Sequence, residues 1–167
     1  GLPLIDLIDT MLRSVQVIFF TTLGFALLLG LADRRKGEGR SLPSLTWRDV
    51  FLIGCAQALS LIPGTSRSGV TITAGLFLGL NREAAARFSF LLAIPITGLA
   101  GTVKLVQMVE LGVAVDWIGF LVGGGTAFIT AVTALHFFLK WLNRWGMWPY
   151  VVYRIGLALV IYLVLLK

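Results

Sequence analysis

Arg67 is the residue whose chemistry most needs a reason. It stands in Pro63-Gly64-Thr65-Ser66-Arg67-Ser68-Gly69, between the apolar arms WRDVFLIGCAQALSLI and VTITAGLFLGL. An arginine carried to membrane depth is costly unless paired, and is a functional candidate for that reason. No acid lies nearby in sequence to neutralise it; its neighbours are the hydroxyls of Thr65, Ser66 and Ser68, with Thr71 one turn further on. A new helix is expected to begin near Gly69. Hydroxyls, free N–H groups at a helix N-terminus and a guanidinium fork together make an anion site, best matched to phosphate. The glycines let the backbone approach such a ligand closely. Snorkelling, or pairing with a distant carboxylate, is the bland alternative for Arg67. It leaves the hydroxyl cluster without a reason.

Other polar groups are less specific. Gln57 lies one to two turns before the loop and is within reach of the same cavity, or serves as an interhelical hydrogen bond. Arg154, preceded by Tyr153, is a second intramembrane cation. It either supplements the anion site, bonds a carbonyl or snorkels. His136 is the only histidine, near a helix end, and reads as structural. Cys55 is the only cysteine, which excludes disulfides within the chain, and reads as a small packed side chain.

The elements that position these groups are membrane helices. Of 167 residues, 57% are hydrophobic and 13% charged, against about 25% charged in an ordinary soluble domain. The net charge of +6 comes from basic residues clustered between apolar runs, which argues against nucleic acid. Four stretches, about 12–32, 83–108, 117–140 and 148–166, are long enough to span about 30 Å of hydrocarbon. Asn81 is a candidate N-cap, Pro95 a kink and Pro149 a first-turn proline. Gly119, Gly123, Ala127 and Ala131 make one face of the third helix small, and Ala93, Thr97 and Gly101 repeat the device on the second, as if for close helix packing. Trp141, Trp145, Trp148 and Tyr150 read as an interfacial aromatic belt.

Segment 47–80 does not fit a single crossing, because each arm is short and its middle is polar. It either crosses as a broken helix or enters and returns as a re-entrant hairpin. If it returns, Arg34, Arg35, Lys36, Arg40, Arg48, Arg82, Arg87, Lys140 and Arg144 all face the cytoplasm, nine of the fourteen cationic residues. Asp6, Asp9, Glu110 and Asp116 then face outside. The positive-inside preference selects the hairpin. Irregular backbone at that depth must be buried in protein or line a wet cavity, so the tip is expected on a cavity floor that opens outward. The expectation is an all-α integral membrane protein, with residues 1–167 forming one transmembrane domain.

Residues 53–95, IGCAQALSLIPGTSRSGVTITAGLFLGLNREAAARFSFLLAIP, closely resemble the second signature region of the bacterial undecaprenyl-diphosphate phosphatase family, the bacitracin-resistance type. The PGTSRSG core, upstream Gln57 and downstream FSFLLAIP make the match specific, and it continues weakly to Tyr153-Arg154 and over essentially the whole chain. The resemblance implies a multi-pass enzyme of the bacterial inner membrane that removes the terminal phosphate of the C55 isoprenoid diphosphate for cell-wall synthesis. It implies that Arg67 with Ser66, Ser68 and Thr71 holds the diphosphate; the catalytic candidates are then Arg67 and Ser66, and the substrate-binding ones Thr65, Ser68, Gly69, Thr71, Gln57 and Arg154. An inverted-repeat architecture, implied by the same family, agrees with the hairpin.

The family also has an earlier half with two metal-associated glutamates, a histidine and a serine proposed as nucleophile, and nothing here matches that motif. The chain is therefore expected to be the C-terminal part of a larger protein, to supply a diphosphate clamp and to be inactive alone. The divalent metal, Mg or Ca, would have ligands mainly outside this chain. Expected partners are the lipid diphosphate, the membrane and the N-terminal half, with homo-oligomers left open. The two-histidine acid-phosphatase type is excluded by the single histidine. A transporter or flippase for phosphate or a lipid phosphate is the alternative function, and a structural subunit a second one.

Overall fold

The computed structural model describes residues 14–34, 39–112 and 116–165. Asp6, Asp9, Arg35, Lys36 and the first two residues of the expected helix 12–32 lie outside them. Six α-helices form the described chain: α1 (Val15–Arg34), α2 (Trp47–Ala58), α3 (Arg67–Phe77), α4 (Arg82–Glu110), α5 (Trp117–Trp145) and α6 (Trp148–Leu165). Among the described residues there are no β-strands, only a lone Arg40–Leu80 bridge. The chain is an all-α integral membrane protein, and α1, α4, α5 and α6 are each long and apolar enough to cross a bilayer.

The helix boundaries follow from local chemistry. Thr46 caps α2 in a reciprocal box with Asp49, Ser66 caps α3, Asn81 caps α4 and Asp116 caps α5. α5 runs to Trp145, beyond the expected end at Lys140, because residues 141–145 stay helical until Gly146 turns the chain at φ +66°. α4 continues through Pro95 to Glu110.

Segment 47–80 is a helix–break–helix whose two ends meet. The Arg40 guanidinium donates to both Asp49 carboxylate oxygens, at 2.6 and 3.4 Å, at the start of α2. It also donates to the Leu78 carbonyl at 2.9 Å, at the end of α3. Nearby, Arg82 grips the Asp33 carboxylate through Nε and Nη2, and Met147 N–H donates to the same carboxylate at 3.3 Å. The end of α1 and the starts of α4 and α6 are thus tied together beside the hairpin's base. Thr21, which touches the hairpin tip, lies twelve residues before Asp33, roughly 18 Å along α1 at 1.5 Å per residue.

The buried core joins Leu29 and Ala32 of α1, Ile53 of α2, Ile72 and Leu76 of α3, Ala84–Ala86 of α4 and Val151 of α6. α3 is packed among α1, α2 and α4, while α1 lies along α6. Gly75 permits the α3–α4 approach, since a Cβ there would stand 3.1 Å from the Ala85 Cβ. Among the described residues the small face of α5 meets no neighbour, with open space around Gly123, and Gly101 on α4 is equally open. One sequence expectation fails. Cys55 is exposed rather than packed, because its side of α2 faces away from the core.

Candidate functional site at the hairpin tip

The break between α2 and α3 is held by side chains from two other helices. Thr21 Oγ1 donates to the Pro63 carbonyl at 2.7 Å, and Thr22 Oγ1 to the Gly64 carbonyl at 3.2 Å. Arg154 Nη2 donates to the same Gly64 carbonyl at 2.5 Å. Thr65 turns its hydroxyl back onto the Ile62 and Leu59 carbonyls. Gly64 has φ +87°, and a Cβ there would strike Thr21 Oγ1 and the Ile18 carbonyl, so glycine is required on both grounds. The acceptor edge of the loop is therefore occupied by donors from α1 and α6.

The donor edge is not. α3 begins at Arg67, earlier than expected, and the N–H groups of Arg67 and Ser68 have no acceptor among the described residues. Ser66 Oγ caps the helix, accepting from Gly69 N–H at 3.2 Å, and also accepts from Tyr150 Oη at 2.9 Å. The half-buried Arg67 makes no hydrogen bond or ion pair through its side chain with any described residue. Ser66, Ser68, Gly69 and Tyr150 form the polar end of a cavity of about 320 Å³. Its remaining wall is apolar and includes Leu29, Ile72, Phe90, Leu135 and Phe138.

The other expected site residues fall differently. Arg154 resolves its open alternatives: it is only 5% exposed, bonds a carbonyl and neither snorkels nor faces solvent. Its Nη1 passes within 3.2 Å of where a Gly69 Cβ would be, so Gly69 leaves room for the guanidinium. Thr71, expected on the anion, is instead 2% exposed at the α3–α4 contact. Its hydroxyl is shared between Ser89 Oγ at 2.7 Å and the Arg67 and Ser68 carbonyls. Gln57 carries a buried Oε1 with no partner among the described residues. His136 lies exposed on α5 and does not line this cavity.

Sequence reading misses Tyr150, Thr21, Thr22 and Ser89 as parts of the site. It assigns Tyr150 to the aromatic belt. The spacing of four between Tyr150 and Arg154, which puts both on one face of α6, is the signal that could have found it. Thr21 and Thr22 carry no such signal.

Chemically, the polar end of the cavity can meet a tetrahedral anion with the Ser66 and Ser68 hydroxyls, and the buried Arg154 charge lies behind the loop; Arg67, at the start of α3, is not among the residues that line this cavity. The cavity does not fit a metal. No carboxylate or histidine lines the cavity, and no three His, Cys, Asp or Glu side chains converge among the described residues.

A family described as "Bacitracin resistance protein BacA" matches residues 1–160. The chain is 63% identical over 166 residues to the undecaprenyl-diphosphatase of Marinobacter nauticus, which covers 99% of this chain and 63% of the relative. It is 60% identical to the undecaprenyl-diphosphatase of Idiomarina loihiensis, over 98% of this chain and 62% of the relative. It is 52% identical to undecaprenyl-diphosphatase 2 of Stutzerimonas stutzeri, over 96% and 61%. The chain thus spans somewhat less than two thirds of the length of these relatives.

Proposed function

Because the chain belongs to the bacitracin resistance protein BacA family, we propose that it is the diphosphate-binding part of an undecaprenyl-diphosphate phosphatase. The enzyme would hydrolyse the terminal phosphate and regenerate the monophosphate lipid carrier. The observation that carries this reading is the cavity end formed by Ser66, Ser68 and Gly69 at the N-terminus of α3, with Arg67, a guanidinium without a described partner, in the same first turn. A charged group left unpaired inside a bundle calls for a counter-ion.

The roles divide by geometry. Arg67, the Ser66 and Ser68 hydroxyls and the free N–H groups hold the terminal phosphate and neutralise charge developing on it. Arg154 and Gly69 shape the loop around that position. Thr65 holds the loop's turn, Thr71 supports Arg67 and Ser68 from behind, and Gln57 offers its amide N–H₂ as a donor from the hairpin's other arm. The apolar wall beside Ser66 receives the isoprenoid chain next to the diphosphate.

In the membrane, 47–80 enters from the cytoplasmic side of the bacterial inner membrane and returns. The tip then sits near mid-depth, since roughly 18 Å along α1 compares with about 30 Å of hydrocarbon, and the cavity opens to the outer face. Activation of a nucleophile needs a base, and the cavity lining holds none. That group, and the ligands of an Mg or Ca ion, would come from the segment that accounts for the relatives' remaining length, so this chain alone is inactive.

The test is phosphate release from an isoprenyl diphosphate in detergent, by this chain alone, with that additional segment, and with Arg67→Ala in the pair. Release by the pair alone, cut about a thousandfold or more by Arg67→Ala, is the expected result. Release by the isolated chain would mean a complete site. Tight binding with no release in any combination would favour a lipid-phosphate transporter.

A further inference from the structure

The Ser66 hydroxyl has one proton and two lone pairs. Gly69 N–H donates to its oxygen at 3.2 Å and Tyr150 O–H at 2.9 Å. Both lone pairs are therefore engaged, while no described acceptor takes the proton. Ser66, Ser68 and Tyr150 line the same cavity, whose wall contains neither a histidine nor a carboxylate.

We propose that Tyr150 is a positioning residue that fixes the Ser66 hydroxyl as a hydrogen-bond donor to the bound phosphate. The inference rests on the phosphatase reading above. Here the lone pairs point to Gly69 and Tyr150, and the proton is what remains to meet the ligand. Without the Tyr150 hydroxyl, Ser66 Oγ regains a free lone pair and its proton rotates among several directions. Tyr150 itself is kept in place by its position in the first turn of α6, one turn from Arg154, whose guanidinium carbon lies 6.0 Å from the Tyr150 ring centre.

The experiment is a double-mutant cycle in the intact protein that carries this chain, in detergent with Mg²⁺ and farnesyl diphosphate as the probe. Wild type, Tyr150→Phe, Ser66→Ala and the double variant are compared by kcat and KM, with melting temperatures alongside. Tyr150→Phe should lower kcat/KM by about two- to tenfold, the range of one hydrogen bond. Ser66→Ala should lower it by about a hundredfold while keeping measurable turnover, as loss of one transition-state donor does. In the Ser66→Ala background, Tyr150→Phe should then cost nothing further. An equal loss from Tyr150→Phe in both backgrounds would overturn the positioning role. Complete loss of turnover in Ser66→Ala, with the melting temperature kept, would make Ser66 the nucleophile and overturn the donor role. Absence of phosphate release by wild type would instead remove the phosphatase reading itself.

Discussion

Arg154 on the last helix donates its Nη2 to the carbonyl of Gly64 at the hairpin tip, 90 residues away in sequence and 2.5 Å away in space. One side chain thereby holds the loop's acceptor edge and brings a buried positive charge behind its donor edge. These two contributions are separable. Arg154→Gln retains a donor for the carbonyl and removes the charge. It should keep the melting temperature close to wild type while raising KM for an isoprenyl diphosphate about tenfold. Arg154→Leu should also lower the melting temperature, since a buried carbonyl loses its strongest donor, at a cost of roughly 1–3 kcal/mol. Equal KM values for the Arg154→Gln variant and wild type would remove the electrostatic contribution.

Thr71 and Ser89 share a buried hydrogen bond of 2.7 Å. Thr71→Val keeps the shape and leaves Ser89 unpaired, so thermal stability should fall by about 1–2 kcal/mol. KM for the diphosphate should change by less than about twofold, because the hydroxyl faces α4 and not the cavity. A large KM change with unaltered stability would return Thr71 to the ligand.

Gly64 is predicted to be intolerant of alanine. The positive φ of +87° and the clash with Thr21 Oγ1 and the Ile18 carbonyl act together, at a cost of roughly 2–4 kcal/mol. Gly123→Ala, in open space on α5, is the control and should leave stability near wild type in the isolated chain. Comparable melting temperatures for the two variants would refute the tight fit of the tip against α1.

Asp49 gives a pH dependence at the hairpin's base. The Arg40 hydrogen bond, followed by the Thr46 backbone N–H, holds its carboxyl well below the usual carboxylate range. A depressed folded-state value means that the stabilisation is complete above the unfolded value of about 3.9 and is lost as pH falls below it. The melting-temperature difference between wild type and Asp49→Asn should therefore be constant from neutral pH to about 5 and shrink below about 4. A difference that already declines between about pH 8 and 6 would point to another group.

The membrane class, the four long helices and the polar break between α2 and α3 were legible in sequence because each depends on local properties. Apolar length sets a spanning helix, Asn81 sets a cap, and PGTSRSG concentrates hydroxyls and glycines around one arginine. That the two ends of 47–80 meet has no local signal within the segment; the structure supplies its physical agent, Arg40 bridging Asp49 and the Leu78 carbonyl. Which hydroxyls face the cavity was not legible. Ser66, Ser68 and Thr71 look alike in sequence, and their difference arises from the face of α3 that α4 covers, which buries Thr71 against Ser89. Nor were Thr21, Thr22 and Tyr150, whose roles exist only because α1 and α6 flank the tip. A side chain's type and local spacing declare what it can bond, whereas the partner it meets is decided by helices packed from distant parts of the chain.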